Sequence, residues 1–199
     1  MMRHIAPRAY LTPMAVGVLS LGLFASTVAA SAAELDTGAG QIVGLFMQAC
    51  VPQYGDIFAV RKWLEDRKIP HMADAGAVHF LSGRSGTVYD ASNATGRYGV
   101  TTLDNGVCDA FAETALASDV IDFLETSLKS KGLTVIRLKD YADPHAARLH
   151  HYDYLIVRDG VNYNLVASVS DATHVIQAQL GFWRRGPNEP LPAPLPPPR

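Results

Sequence analysis

The sequence predicts an α+β domain, with an antiparallel sheet of hairpins packed against two N-terminal helices and one central helix. Three observations predict it. Apolar residues recur at helical spacing over 38–64, two turn dipeptides (Asn105-Gly106 and Asp159-Gly160) are each flanked by strand-like runs, and one amphipathic stretch at 119–131 separates the two hairpins. With 199 residues, 48% of them hydrophobic and 18% charged, the chain has the proportions of a globular domain.

The first helix is expected over 38–49, where Ile42, Leu45, Phe46 and Ala49 share one face, and Pro52 ends it. A second begins after Asp56, a suitable N-cap, and turns Ile57, Val60, Trp63 and Leu64 inward before Pro70. Its charged residues, from Arg61 to Lys68, read as a solvated face. Residues 71–85 carry no clear period and read as irregular. A strand at 87–91 is followed by a hairpin of 97–103 and 107–113, turning where Asn105-Gly106 supplies the positive φ. Ser118 is the expected cap of the central helix and Gly132 its stop. A strand at 133–138 and a loop containing Asp143-Pro144 lead to the last block.

That block is a hairpin of 150–158 and 161–169 on Asp159-Gly160. The turn sets Arg158 opposite Val161, Ile156 opposite Tyr163, Tyr154 opposite Leu165 and Tyr152 opposite Ala167, all facing the helices. A third strand is expected at 173–180. The other face then carries His151 and Asp153, with Ser168 opposite His151 and His174 opposite Ser168. His151, Asp153, Ser168 and His174 are the candidate ligand-binding set. The same residues leave two alternatives open: a metal held by the histidines, and a hydrolase using His151, Ser168 and Asp153. No cofactor is indicated, and the metal is unknown. Trp183, Phe182 and Tyr141 read as core and rim.

The N-terminus has the three-part layout of a secretory signal peptide over 1–32. Arg3 and Arg8 precede a short apolar run interrupted by Pro13, and the small residues 29–33 offer cleavage after Ala32 or Ala33. Without a cysteine at that junction, no lipid anchor is expected. The domain organisation is therefore a leader at 1–32, one domain at 33–185, and a tail at 186–199 that holds seven of the twelve prolines. Net charge is −2 for the whole chain and about −4 without residues 1–32, which gives no basic field for nucleic acid or an anionic membrane. In a periplasmic or secreted setting, Cys50 and Cys108 are expected to form a disulfide. The rival reading keeps Cys108 reduced as the nucleophile of an envelope hydrolase, since 106–111 loosely resemble the opening of a cell-wall peptidase motif.

The run Ala49-Cys50-Val51-Pro52, Gly55-Asp56, Val60-Arg61, Trp63 and Ile69-Pro70, with Gly106-Val107-Cys108 further on, resembles an uncharacterised family of small exported bacterial proteins and lipoproteins. The resemblance covers about the middle half of the domain. It implies a periplasmic or secreted setting and no particular chemistry. The function expected from the sequence is non-catalytic binding, inhibitor-like or immunity-like in kind, toward another envelope protein or a small ligand.

Overall fold

A computed structural model describes residues 36–146, 148–172 and 176–189. The leader at 1–32, the tail beyond Glu189 and His174 lie outside the described residues. Among the described residues, four α-helices accompany one seven-stranded sheet in the order β1-β2-β3-β7-β6-β5-β4, every pair antiparallel.

Helix α1 (Thr37–Ala49) starts at Asp36, whose carboxylate accepts from the N–H groups of Gly38 at 3.1 Å and Ala39 at 3.2 Å. It buries Ile42, Val43, Phe46 and Met47. The same carboxylate accepts from the N–H of Leu116, so it also serves the start of α4 (Ala117–Ser130). Ser118, the expected cap of that helix, instead lies in its first turn and donates to Asp119. The two helix starts approach closely because residue 38 is glycine: a Cβ there would stand 2.3 Å from the carbonyl oxygen of Thr114. Helix α2 (Ile57–Asp66) begins as expected, with Asp56 accepting from Phe58 and Ala59, both at 3.1 Å.

Residues read as irregular contain a further helix, α3 (Asp74–Leu81). It is eight residues long, and Ala77 is its one buried residue, so it carries almost no amphipathic period. Tertiary contact holds it: Phe80 stacks on Phe111 with ring centroids 4.0 Å apart. Phe111 in turn lies over Gly99 of the neighbouring strand, where any Cβ would fall inside its ring.

The strands are β1 (Gly86–Asp90), β2 (Tyr98–Leu103), β3 (Cys108–Ala112), β4 (Thr134–Ala142), β5 (Leu149–Arg158), β6 (Val161–Ser170) and β7 (Ala178–Arg184). The β5–β6 hairpin has the register read from its Asp-Gly turn, from Arg158 opposite Val161 to Tyr152 opposite Ala167. β4 runs four residues beyond the expected 138, across a bulge between Arg137 and Lys139. β7 differs most from expectation, because it starts at Ala178 and not at residue 173. The Ser170 N–H reaches the Gln177 carbonyl at 2.7 Å, closing a wide loop where a tight turn was expected. The residue opposite Ser168 is consequently Gln179, not His174.

Helices α1, α2 and α4 cover one face of the sheet and form the main core with Val100, Ala110, Ile156, Leu165, Leu180 and Phe182. On the other face α3 covers β1 to β3 through Ala77, Val88 and Phe111. The remaining half of that face, over β7, β6, β5 and β4, has no helix on it among the described residues.

Cys50, just after α1, and Cys108, at the start of β3, are joined with their Cα atoms 5.6 Å apart, and both are buried. The link spans a sequence separation of 58 residues, and closing such a loop in the unfolded chain is worth about 4 kcal/mol. Replacing both cysteines with serine is expected to lower unfolding free energy by roughly 3–4 kcal/mol in urea titrations. A midpoint equal to that of the oxidised protein would refute this stabilising role.

Candidate functional site

Two rows of side chains run across the face of the sheet that carries α3, from β3 under that helix to the helix-free half. Antiparallel pairing brings Phe111, Gln179, Ser168, His151 and Tyr141 into one row, and Asp109, Gly181, Val166, Asp153 and Lys139 into the next. His151 and Ser168 meet as the sequence predicts, with Nδ1 2.8 Å from Oγ. Asp153 shares their face but is not the carboxylate that His151 uses. The other ring nitrogen, Nε2, stands 2.9 Å from Oδ2 of Asp143 in the β4–β5 loop. Asp143 is positioned by its own turn, accepting from the N–H groups of His145 at 2.7 Å and Ala146 at 2.9 Å. Its bond to His151, and then the His145 N–H, hold its carboxyl below the usual range. Burial moves Asp153 in the opposite direction, against the charges of Lys139 and His151.

Asp143, His151 and Ser168 are thus linked by hydrogen bonds in the order of a Ser-His-Asp triad. The setting of Ser168 is not that of a nucleophile. It lies two residues before the end of β6 and is still paired with β5 on one side and β7 on the other, so the strand leaves no spare N–H aimed at an oxyanion near Oγ. Cys108, the other proposed nucleophile, is held in the disulfide and has no thiolate to offer. No group of three or more His, Cys, Asp or Glu side chains is placed to hold a metal ion among the described residues.

The face has two hollows, one on each side of a ridge made by Trp183 and Val166. One, of about 210 Å³, contains Asp153, Asn164 and Glu189. There Asn164 donates to Glu189 at 2.9 Å and accepts from Arg185 at 2.6 Å, which folds residues 186–189 back against the sheet. The other, of about 360 Å³, contains Asp109, Gln179, Ser168 and Arg84 around Gly181. Gly181 makes room for the Asp109 carboxylate: a Cβ there would stand 2.7 Å from Oδ1 of Asp109 and would displace it, and would come within 3.8 Å of the Trp183 ring. The carboxylate and the indole therefore flank a patch of bare backbone.

Asp109 is 6% exposed. Burial pushes its carboxyl up to about 6, against the opposing effects of the Arg84 charge and a hydrogen bond from Gln179. The sequence shows Asp109 as a single acid within the apolar run 107–112, a signal that marks a buried polar group. Gly181 and Trp183 were missed because the third strand was read as ending at 180. Asp143 was legible as a turn residue, but its reach to His151 depends on the length of β4.

No protein-family model matches the chain, and neither does any curated protein or solved structure.

The shift at Asp109 makes a stability prediction. The folded state holds this proton more tightly than the unfolded state, so the contribution of Asp109 to stability is greatest below the ordinary carboxylate range, falls as pH rises, and levels off above about pH 6. The lowered carboxyls of Asp90, Glu125, Asp143 and Asp171 contribute in the opposite direction. The ionised form costs about 2–3 kcal/mol of folding free energy, from a shift that starts at 3.8 and ends at about 6. Asp109→Asn is expected to stabilise the protein at about pH 8 by roughly 1–3 kcal/mol and to flatten the fall below that. Urea unfolding across this pH range checks it, and an Asn variant less stable than wild type at about pH 8 would refute it.

Proposed function

We propose that the protein is an exported binding protein that receives a small ligand on the helix-free half of its sheet. The observation that carries this reading is the pair of hollows around the Trp183–Val166 ridge. They mix an aromatic wall with a few fixed polar groups and sit chiefly on β5, β6 and β7, strands hydrogen-bonded on both sides, with the edge strand β4 at the rim of the first, which is how rigid ligand sites are built. Export is supported by the layout of residues 1–32, by a cystine of the kind that persists in oxidising compartments, and by the resemblance to small exported bacterial proteins. No helix among the described residues is long and apolar enough to cross a membrane.

A ligand at this face stabilises the folded state by mass action, by about 2.7 kcal/mol at a concentration one hundred times Kd. Screening wild type against small amines, amino acids, organic acids and saccharides is expected to find a class that raises Tm by roughly 5–10 °C. Val166→Trp, which fills the ridge between the hollows without touching the core, is expected to abolish that rise. A panel with no effect, or an equal rise in the variant, would refute the reading.

The hydrogen-bonded chain from Asp143 through His151 to Ser168 favours a second reading, a serine hydrolase. The fully paired backbone of β6 argues against it. A fluorophosphonate probe is expected to leave Ser168 unmodified in intact-mass measurements. Labelling that disappears in His151→Ala would replace the binding reading with the hydrolase.

A further inference from the structure

Asp109 is a buried carboxylate beside a hollow, and among the described residues it is in no ion pair, the Arg84 charge acting on it from further off. Arg84, from the α3–β1 loop, is the charged group that faces it, yet Nε and Nη2 of that guanidinium donate to the carbonyls of Leu81 at 3.1 Å and Phe80 at 3.4 Å. Arg84 therefore finishes α3 and forms no ion pair with Asp109, and among the described residues no cation lies within 4 Å of that carboxylate. From β7, Gln179 supplies a neutral hydrogen bond. His151 and Asp153, from β5, lie two strands beyond Gly181 in the rows.

A negative charge kept out of water with no opposite charge in contact is unfavourable. Here the carboxylate lies over Gly181, on bare backbone, with the half-exposed Trp183 indole on its other side. An indole face attracts cations through its quadrupole. The carboxylate and the indole therefore favour the same kind of guest, whereas Arg84, which also lines the hollow, opposes it.

We propose that the Gly181 hollow binds an organic cation, a guanidinium or primary ammonium group carried by a small molecule, with Asp109 as counter-charge and Trp183 as aromatic wall. This rests on the binding reading above and specifies its ligand. The cavity of about 360 Å³ admits such a group with a short alkyl chain. The bound cation completes the ion pair that the fold leaves open, and Arg84, tied to α3, stays outside it.

A matched pair of probes tests the charge directly: n-butylguanidinium and its uncharged isostere N-butylurea, titrated calorimetrically into the oxidised full chain. The guanidinium is expected to bind at least about tenfold more tightly than the urea. Asp109→Asn, which keeps the shape and is expected to fold at least as well, removes that preference. Trp183→Ala weakens guanidinium binding, and Trp183→Phe retains part of it. Acidification from about pH 7.5 to about pH 4.5 weakens guanidinium binding roughly thirtyfold, because Asp109 titrates at about 6. His151→Ala leaves this slope in place. Equal affinity for the two probes, no binding of either, or wild-type affinity in Asp109→Asn would overturn the proposal. If the guanidinium fails while another solute still raises Tm in wild type and not in Val166→Trp, the ligand class is wrong and the binding face stands. If no solute acts, both readings fall.

Discussion

The insertion of β7 between β3 and β6 is the constraint on which the rest of the structure depends. Without it the chain forms two separate antiparallel groups, β1-β2-β3 and β6-β5-β4, each with an unpaired edge beside the core. β7 satisfies both edges at once, through Cys108 to Ala112 on one side and Tyr163 to Val169 on the other. It also puts Gln179, Gly181 and Trp183 on the open face while Leu180 and Phe182 enter the core. The β3–β7 pairing joins segments separated in the chain by α4 and three strands, so it carries a large loop-closure entropy. The Cys50–Cys108 link pins β3 to the end of α1, which packs against α4, β3 and β7.

What was legible in the sequence was local. Asp159-Gly160 specified the β5–β6 register because a two-residue turn leaves one pairing that keeps Tyr154, Ile156 and Leu165 on the core side. Asp36 and Asp56 act as caps within three residues of their targets, and the Asp56 cap was read correctly. The illegible parts depended on distant contacts. α3 forms because Phe80 finds Phe111, a partner 31 residues away that no window of helical periodicity contains. β7 was misplaced because its entry is set by a Ser170–Gln177 backbone bond and by the Gln177 side chain, which accepts from Ala115 and donates to Ala172. The shift moved Ser168's neighbour from His174 to Gln179. The carboxylate of the His151 chain was likewise chosen by geometry: Asp153 is nearer in sequence, but Asp143 is held where the ring nitrogen points.

Asp109 shows how stability and function separate on this face. Nearby buried polar residues have evident structural partners: Thr102 accepts from Arg61 and donates to Thr87, and Asn164 is bonded to Glu189 and Arg185. Asp109 has an amide for a partner and a guanidinium that acts on it without an ion-pair contact, and burial outweighs both. An asparagine would fill the same space without it. A group that weakens the fold in its working protonation state, and sits in a concave site, is the usual mark of a residue present for what it binds.

The open half of the sheet is not an ordinary solvated face. On such a face the outward residues of an antiparallel sheet alternate with the core and stand free in water. Here, with no helix above them, Asn164 and Leu155 are each 7% exposed. Their cover comes from neighbours on the same face, including the Trp183 ring and the 186–189 turn. A surface that buries its own polar groups in this way forms walls and hollows, where a purely solvated one would be flat. Fixed walls limit how far a guest can move, and the polar groups at their base select it by charge. On this face the pairing of β7 provides the walls, and Gly181 leaves the space between them.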